Sequence, residues 1–242
     1  MTAVLALEHV SKRYGALRVA DDVSFSVGQG ETLGILGPNG AGKTTLFNLI
    51  SGDVRADAGR VVFDGRDVTD HAPHRRCRLG IGRSYQIPRP FGAMTVFENL
   101  LAAACFGSRR REAEATGSVV RVLGETGLLD KANRAAGSLT LLDRKRLELA
   151  RALCTEPRVL LLDEIAAGLT EHEASALTDE LGRIKARGTT MIWIEHVVRA
   201  LLAVADRLLV LDIGRKVTEG APASVMNDPE VRRLYMGPEA EA

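Results

Sequence analysis

The run Gly37-Pro38-Asn39-Gly40-Ala41-Gly42-Lys43-Thr44, with Thr45 after it, is where residue type and spacing point most directly to chemistry. It fits G-x-x-x-x-G-K-[ST], in which glycines let successive N–H groups turn inward around phosphate oxygens. Lys43 reaches the β- and γ-phosphates, and the Thr44 hydroxyl is placed to ligate Mg²⁺. Residues 31–36 before it read as a short buried strand, and residues 45–50 as a helix ending near Gly52, whose N-terminus adds positive potential. A glycine-rich turn that binds nothing has no need of strand, full motif and helix together. The pattern implies a nucleoside triphosphate.

Two carboxylates form the second constellation. Asp163 ends the apolar run 159–162, and Glu164 follows it. A strand buried on both faces delivers its C-terminal residues to the crevice at the sheet edge, where Asp163 can serve Mg²⁺. Glu164 can orient or deprotonate an attacking water. The competing assignment makes the pair a helix N-cap and a first-turn residue. His196 closes the strand 191–195 and could hydrogen-bond a γ-phosphate. Gln86 lies after an apolar strand and before a loop broken by Pro88 and Pro90, and could sense Mg²⁺ or the water. Alone, each of these two is weak.

The elements that must position these residues divide into three stretches. The first holds strands at 4–8 and 23–27, with Lys12-Arg13-Tyr14-Gly15 between them as a turn bearing an exposed aromatic, and a strand at 59–65 closed by an Asp-Gly turn. Residues 88–154 look all-helical, with helices at 96–105 capped by Thr95, at 112–124, and from about Thr140. The sheet resumes at 158–163, followed by a helix at 171–187 and strands at 189–194, 207–212 and 216–219. Short helices follow Pro222, and 238–242 are disorder-prone. The fold class expected is α/β, a mostly parallel core sheet with an N-terminal antiparallel β part and an inserted α-helical subdomain. It forms one domain over 1–242, with a core from 1–87 and 155–220, helices at 88–154 and a tail at 221–242.

Composition narrows the partners. The 242 residues carry 32 Lys+Arg against 31 Asp+Glu, which argues against nucleic acid, and are 45% hydrophobic, enough for a large core. Arg109-Arg110-Arg111 reads as a solvated helix face because Glu112 and Glu114 follow at once. Cys77, Cys105 and Cys154 match no zinc or redox spacing and read as reduced thiols in a cytosolic setting. His71 and His74 read as loop residues rather than metal ligands. The N-terminus has no secretory pattern, and no window nears the roughly 18 apolar residues of a membrane span, so membrane association is expected to run through a partner protein.

The ordered set Tyr14, 37–44, Gln86, a helical section, 138–146, Asp163-Glu164, Ala167-Gly168-Leu169 and His196 resembles the ATP-binding subunits of ABC transporters over essentially the whole chain. The resemblance implies that Tyr14 stacks on adenine, Lys43 binds phosphate and Thr44 ligates Mg²⁺. It further implies that Gln86 links nucleotide to the membrane partner, Glu164 is the catalytic carboxylate and His196 the switch histidine. Cofactors implied are ATP and Mg²⁺. Three departures stand out. The family's Leu-Ser-Gly-Gly-Gln, which meets the γ-phosphate on the opposite subunit, is here Leu139-Thr140-Leu141-Leu142-Asp143. Thr140 retains a hydroxyl, but Leu142 replaces a glycine, and Asp143 brings negative charge toward an anion. Ile165 replaces a usual Pro, and Thr170 a usual acid.

Residues 82–86, 91–100, 146–151, 193–196 and 228–237 resemble the branched-chain amino-acid importer branch. That implies a peripheral subunit on the cytoplasmic face of the inner membrane. Its partners would be integral permease subunits, a second ATPase subunit, identical or paralogous, and indirectly a periplasmic solute-binding protein. The alternatives are an ABC exporter ATPase, a degenerate nucleotide-binding partner with weak hydrolysis, a small-molecule kinase or a nucleotide-binding scaffold.

Overall fold

Alternating apolar and polar residues over Ala3–Tyr14 (β1) and Leu17–Gly28 (β2) give two long strands paired antiparallel across a tight turn at Gly15-Ala16. The computed structural model describes residues 3–236, so the expectation for 238–242 lies outside it. The hairpin is longer than expected: Lys12, Arg13 and Tyr14 continue β1 instead of turning. Asp57 holds them there, accepting from Lys12 Nζ at 2.7 Å and from the Arg13 N–H at 2.8 Å. After Thr32–Leu36 (β3), the strands Ala58–Phe63 (β4) and Arg66–Asp67 (β5) join the hairpin around the Asp64-Gly65 turn, in the order β2-β1-β4-β5.

The second sheet is made of β3 with Ile81–Ser84 (β6), Val159–Asp163 (β7), Thr190–Ile194 (β8), Arg207–Asp212 (β9) and Arg215–Gly220 (β10), in the order β10-β9-β3-β8-β7-β6. All neighbours are parallel except the β9–β10 hairpin. Every residue of β3, β7 and β8 is buried, as both faces are covered. One face, with Leu33, Ile35, Leu161 and Ile192, packs with the first sheet and with Phe47 and Ile50 of helix α1 (Lys43–Ser51). The other, with Leu160, Leu162 and Trp193, meets α6 (Glu171–Ala186) and α7 (Val198–Val204). Two short helices, α8 (Pro222–Met226) and α9 (Pro229–Met236), close the described chain.

A third core belongs to helices α3 (Val96–Gly107), α4 (Glu112–Glu125) and α5 (Leu141–Cys154), built on Leu100, Val119, Leu123 and Leu147. This helical unit leaves from the C-terminal end of β6 and returns to the N-terminal end of its neighbour β7. Ion pairs Arg187–Glu125 and Arg146–Glu180 join it to the α6 side. Thr95 caps α3 in a full capping box with Glu98.

Two further expectations differ from the structure. His74 lies in a helix, α2 (Pro73–Leu79), with Pro at its first turn. Arg76 of α2 is buried and donates to the Leu49 and Ile50 carbonyls, closing the C-terminal end of α1. Arg109–Arg111 form the connector into α4, not a helix face, and Arg109 takes a φ of 60°. Cys154 is buried, which pushes its thiol up to about 12.

Candidate functional site

The phosphate-type loop sits between β3 and α1, and its glycines are set by neighbouring backbone. Gly42 has φ 98°, and a Cβ there would lie 2.2 Å from the Val19 carbonyl oxygen of β2. At Gly37 the same atom would lie 2.3 Å from the Leu211 oxygen of β9. Side chains are thus excluded where two strands abut the loop. Pro38 is half-buried, and Asn39 and Gly40 are exposed at the tip. The Ala41 N–H bonds back to the Pro38 carbonyl at 3.2 Å. Lys43 is buried, its Nζ donating to the carbonyls of Gly37 at 2.7 Å and Pro38 at 3.0 Å. Burial pulls its pKa down, and the fields of Glu164 and Asp163 oppose that. The next residue, Thr44, is exposed, and Thr45 is half-buried.

Asp163 ends β7 with one oxygen, Oδ2, accepting from Arg83 Nη2 at 3.0 Å. Its Oδ1 is buried and, among the described residues, has no hydrogen-bond partner. Burial raises its pKa against the pull of Arg83. A hard divalent cation takes oxygen donors, and Asp163, Thr44 and Gln86 line one cleft of about 480 Å³. The residues present therefore fit Mg²⁺.

Glu164 is 8% exposed and has a left-handed backbone, φ 46°, which costs a non-glycine residue on the order of 1–3 kcal/mol. Its N–H donates to the Ile194 carbonyl at 2.9 Å. Its side chain lies between two others: Gln86 Nε2 donates to Oε2 at 2.5 Å, and His196 Nε2 is 2.7 Å from Oε1. The helix-cap alternative for the two acids fails, because the next helix, α6, begins only at Glu171 and is capped by Thr170. The structure thus brings together Lys43, Gln86, Asp163, Glu164 and His196.

Tyr14 stands apart at the end of β1, 48% exposed, with the Lys12 ammonium 5.6 Å from its ring centroid. Thr140 is the N-cap of α5, its hydroxyl accepting from the Asp143 N–H at 3.3 Å. Asp143 does not add charge toward a ligand: it is buried, and its two oxygens accept from Lys131 Nζ at 2.8 and 2.9 Å. Leu141 is exposed and leans toward Gly168, while Leu142 is half-buried.

Three residues of this region escaped the reading of the sequence. Arg83 links Asp163 to Asn48 at 2.7 Å and to Asp53 at 3.1 Å, its guanidinium 4.7 Å from the Tyr85 ring centroid. Lys145 of α5 is buried and donates to the carbonyls of Gln86 at 2.7 Å and Glu164 at 3.1 Å. Glu195 is buried and accepts from the Ala166 N–H at 2.9 Å and the His196 N–H at 3.1 Å. Burial pushes its carboxyl up to about 7. All three stand in stretches read only for family resemblance, and contacts to Asp163, Gln86 and Ala166, which lie 80, 59 and 29 residues away, are not announced by their neighbours.

An anion cradle, a hydroxyl and an orphaned carboxylate oxygen suited to a cation, and a carboxylate held between an amide and an imidazole can together bind and hydrolyse a phosphoanhydride. No helix among the described residues is long and apolar enough to cross a membrane.

Comparison with known proteins gives a match to the ABC transporter family over residues 20–167. The high-affinity branched-chain amino acid transport ATP-binding protein LivG of Salmonella typhimurium is 34% identical, covering 97% of this chain and 98% of the relative. The lipopolysaccharide export system ATP-binding protein LptB of Haemophilus influenzae is 34% identical, with the same coverage of both chains. Among solved structures, an ATP-binding cassette of an ABC transporter in its ADP conformation superposes with a TM-score of 0.89 at 34% identity. That match covers 98% of this chain and all of the other.

Proposed function

This chain belongs to the ABC transporter family, whose ATP-binding subunits are ATPases, and on that premise we propose that it powers an importer of branched-chain amino acids or related small polar solutes. The observation that carries the reading is the Glu164 carboxylate held between Gln86 and His196 beside the Lys43 loop. The full-length likeness to LivG supports the solute class. The likeness to LptB keeps an export ATPase as the second reading.

In this reading Tyr14 stacks on the adenine of ATP. Residues 37–45 wrap the triphosphate, and Lys43 exchanges its two loop carbonyls for phosphate oxygens. Thr44 and Asp163 Oδ1 would hold Mg²⁺, with Gln86 close by; the ion supplies charge neutralisation on the phosphates. Each oxygen of Glu164 carries one contact and keeps a second lone pair for a water, and Gln86 or His196 is free to turn away from it when nucleotide binds. The released amide or imidazole then reaches toward the γ-phosphate, and Glu164 orients the water for in-line attack. Thr140 faces the triphosphate on a second ATPase subunit, identical or paralogous. Exposed Tyr85, Ile87 and Phe91 beside Gln86 form the face for an integral permease at the cytoplasmic side of the membrane, fed by a periplasmic solute-binding protein.

Phosphate release by the purified chain tests the hydrolytic part. Glu164→Gln is expected to lower turnover by about 10²–10⁴-fold with ATP still bound. Turnover that appears only with a second subunit would reject self-sufficient sites. Leucine uptake in vesicles carrying the permeases tests the solute, and uptake indifferent to this ATPase would reject the importer.

A further inference from the structure

Beside the Gln86–Glu164–His196 side chains lie two further buried side chains, Lys145 and Glu195, that touch the same segments through their backbones. Lys145 projects from α5, 3% exposed, and its ammonium joins the Gln86 carbonyl to the Glu164 carbonyl. Glu195, 1% exposed at the end of β8, joins the Ala166 N–H to the His196 N–H. Glu164 sits between these two clamps in a left-handed conformation that its own residue type does not favour. A residue so placed keeps its geometry only where its surroundings over-determine it. Here that is achieved by the Ile194 carbonyl on its N–H, Lys145 on its C=O and Glu195 on the turn that follows.

We propose that Lys145 and Glu195 are positioning residues that together hold Glu164 between Gln86 and His196. Because Lys145 belongs to the helical unit, it also ties the Gln86 loop and the Glu164 turn to α5. An ammonium suits this role, being a compact donor of three protons on a stem long enough to reach two carbonyls from one helix position. The two carbonyls belong to segments 78 residues apart in the chain, as the Gln86–Glu164 separation shows. The inference rests on Glu164 being the water-aligning carboxylate.

Lys145→Met keeps the stem and removes the charge; Lys145→Arg keeps both charge and donors. Three quantities are measured on the full chain: ATP turnover, equilibrium ATP affinity, and amide hydrogen exchange of the peptide spanning 164–168. For Lys145→Met the expectation is turnover lower by about 10²-fold, the loss that misplacing a reacting group by an ångström produces. ATP affinity should stay within about twofold, with exchange at 164–168 at least about tenfold faster. Lys145→Arg should recover most of both effects. Glu195→Gln, which forfeits one of the two accepted N–H bonds, should accelerate the same peptide even if Lys145→Met does not fold. Unchanged exchange and turnover in Lys145→Met, or in Glu195→Gln if the former does not fold, would overturn the proposal. So would equal losses in the Met and Arg variants, which indicate packing rather than donation. If Glu164→Gln itself left turnover intact, the functional reading would fail instead, and the exchange result would still judge the clamp.

Discussion

Lys43 holds two carbonyls of its own loop at 2.7 and 3.0 Å, so the curl of residues 37–45 is fastened from inside. Removing that ammonium takes away the fastening and, in the proposed reading, the main positive charge offered to the phosphates. Lys43→Ala should weaken ATP binding by at least about tenfold, read by equilibrium nucleotide titration, with phosphate release lost. Glu195 gives a prediction in pH. Its carboxyl is raised from 4.5 to about 7 by burial, with Glu164 adding to the rise and Lys145, Ala166 and His196 opposing it. The folded chain therefore holds this proton more tightly than the unfolded chain. That contribution to stability is present in full below the unfolded value and is lost as pH rises through about 7. The span corresponds to about 3 kcal/mol at most. Glu195→Gln should flatten the fall in unfolding free energy between roughly pH 5 and 7, followed by urea titration at each pH. At this scale the sequence spoke clearly wherever the chemistry was local. The loop at 37–44 and the pair Asp163-Glu164 each carry their context in adjacent residues. Arg83, Lys145 and Glu195 stayed silent because Asp163, Gln86 and Ala166, the partners that place them at the site, arrive by tertiary folding, and Asp143 misled because nothing nearby announces Lys131.

Helix starts were legible from cap chemistry. Thr95 with Glu98 and Thr170 with Glu173 both form complete capping boxes, and Thr140 caps α5. The cap at Thr170 explains why an uncommon residue stands after Gly168: its hydroxyl accepts from the Glu173 N–H at 3.3 Å. Thr170→Ala should cost about 1 kcal/mol in urea unfolding, whereas Thr170→Asp, which restores the family's acid and can still cap, should cost little. Helices α2 and α7 were not foreseen. Each is only seven residues long, too short for a periodic apolar face to declare itself, and α2 depends on Arg76 reaching the end of α1. The extended hairpin was underestimated for a similar reason, since Asp57 supplies the bonds that continue β1 past Lys12.

Three separate hydrophobic clusters organise the molecule, and the helical one shares few side chains with the other two. Leu100→Ala, at a fully buried position of that cluster, should cost about 2–5 kcal/mol. Hydrogen exchange should quicken over α3 to α5 before the parallel sheet is affected. The strand order β10-β9-β3-β8-β7-β6 was beyond the sequence, because buried strands of similar composition do not say which is whose neighbour. The way the helical unit is tethered has a mechanical outcome. Its two chain attachments sit at opposite ends of adjacent parallel strands four and five residues long, a separation of about 13 Å at 3.3 Å per residue. Displacing the unit as a body therefore has to break more than its two chain attachments: the Arg187–Glu125 and Arg146–Glu180 pairs and the bonds from Lys145 to the Gln86 and Glu164 carbonyls fasten it to the core as well.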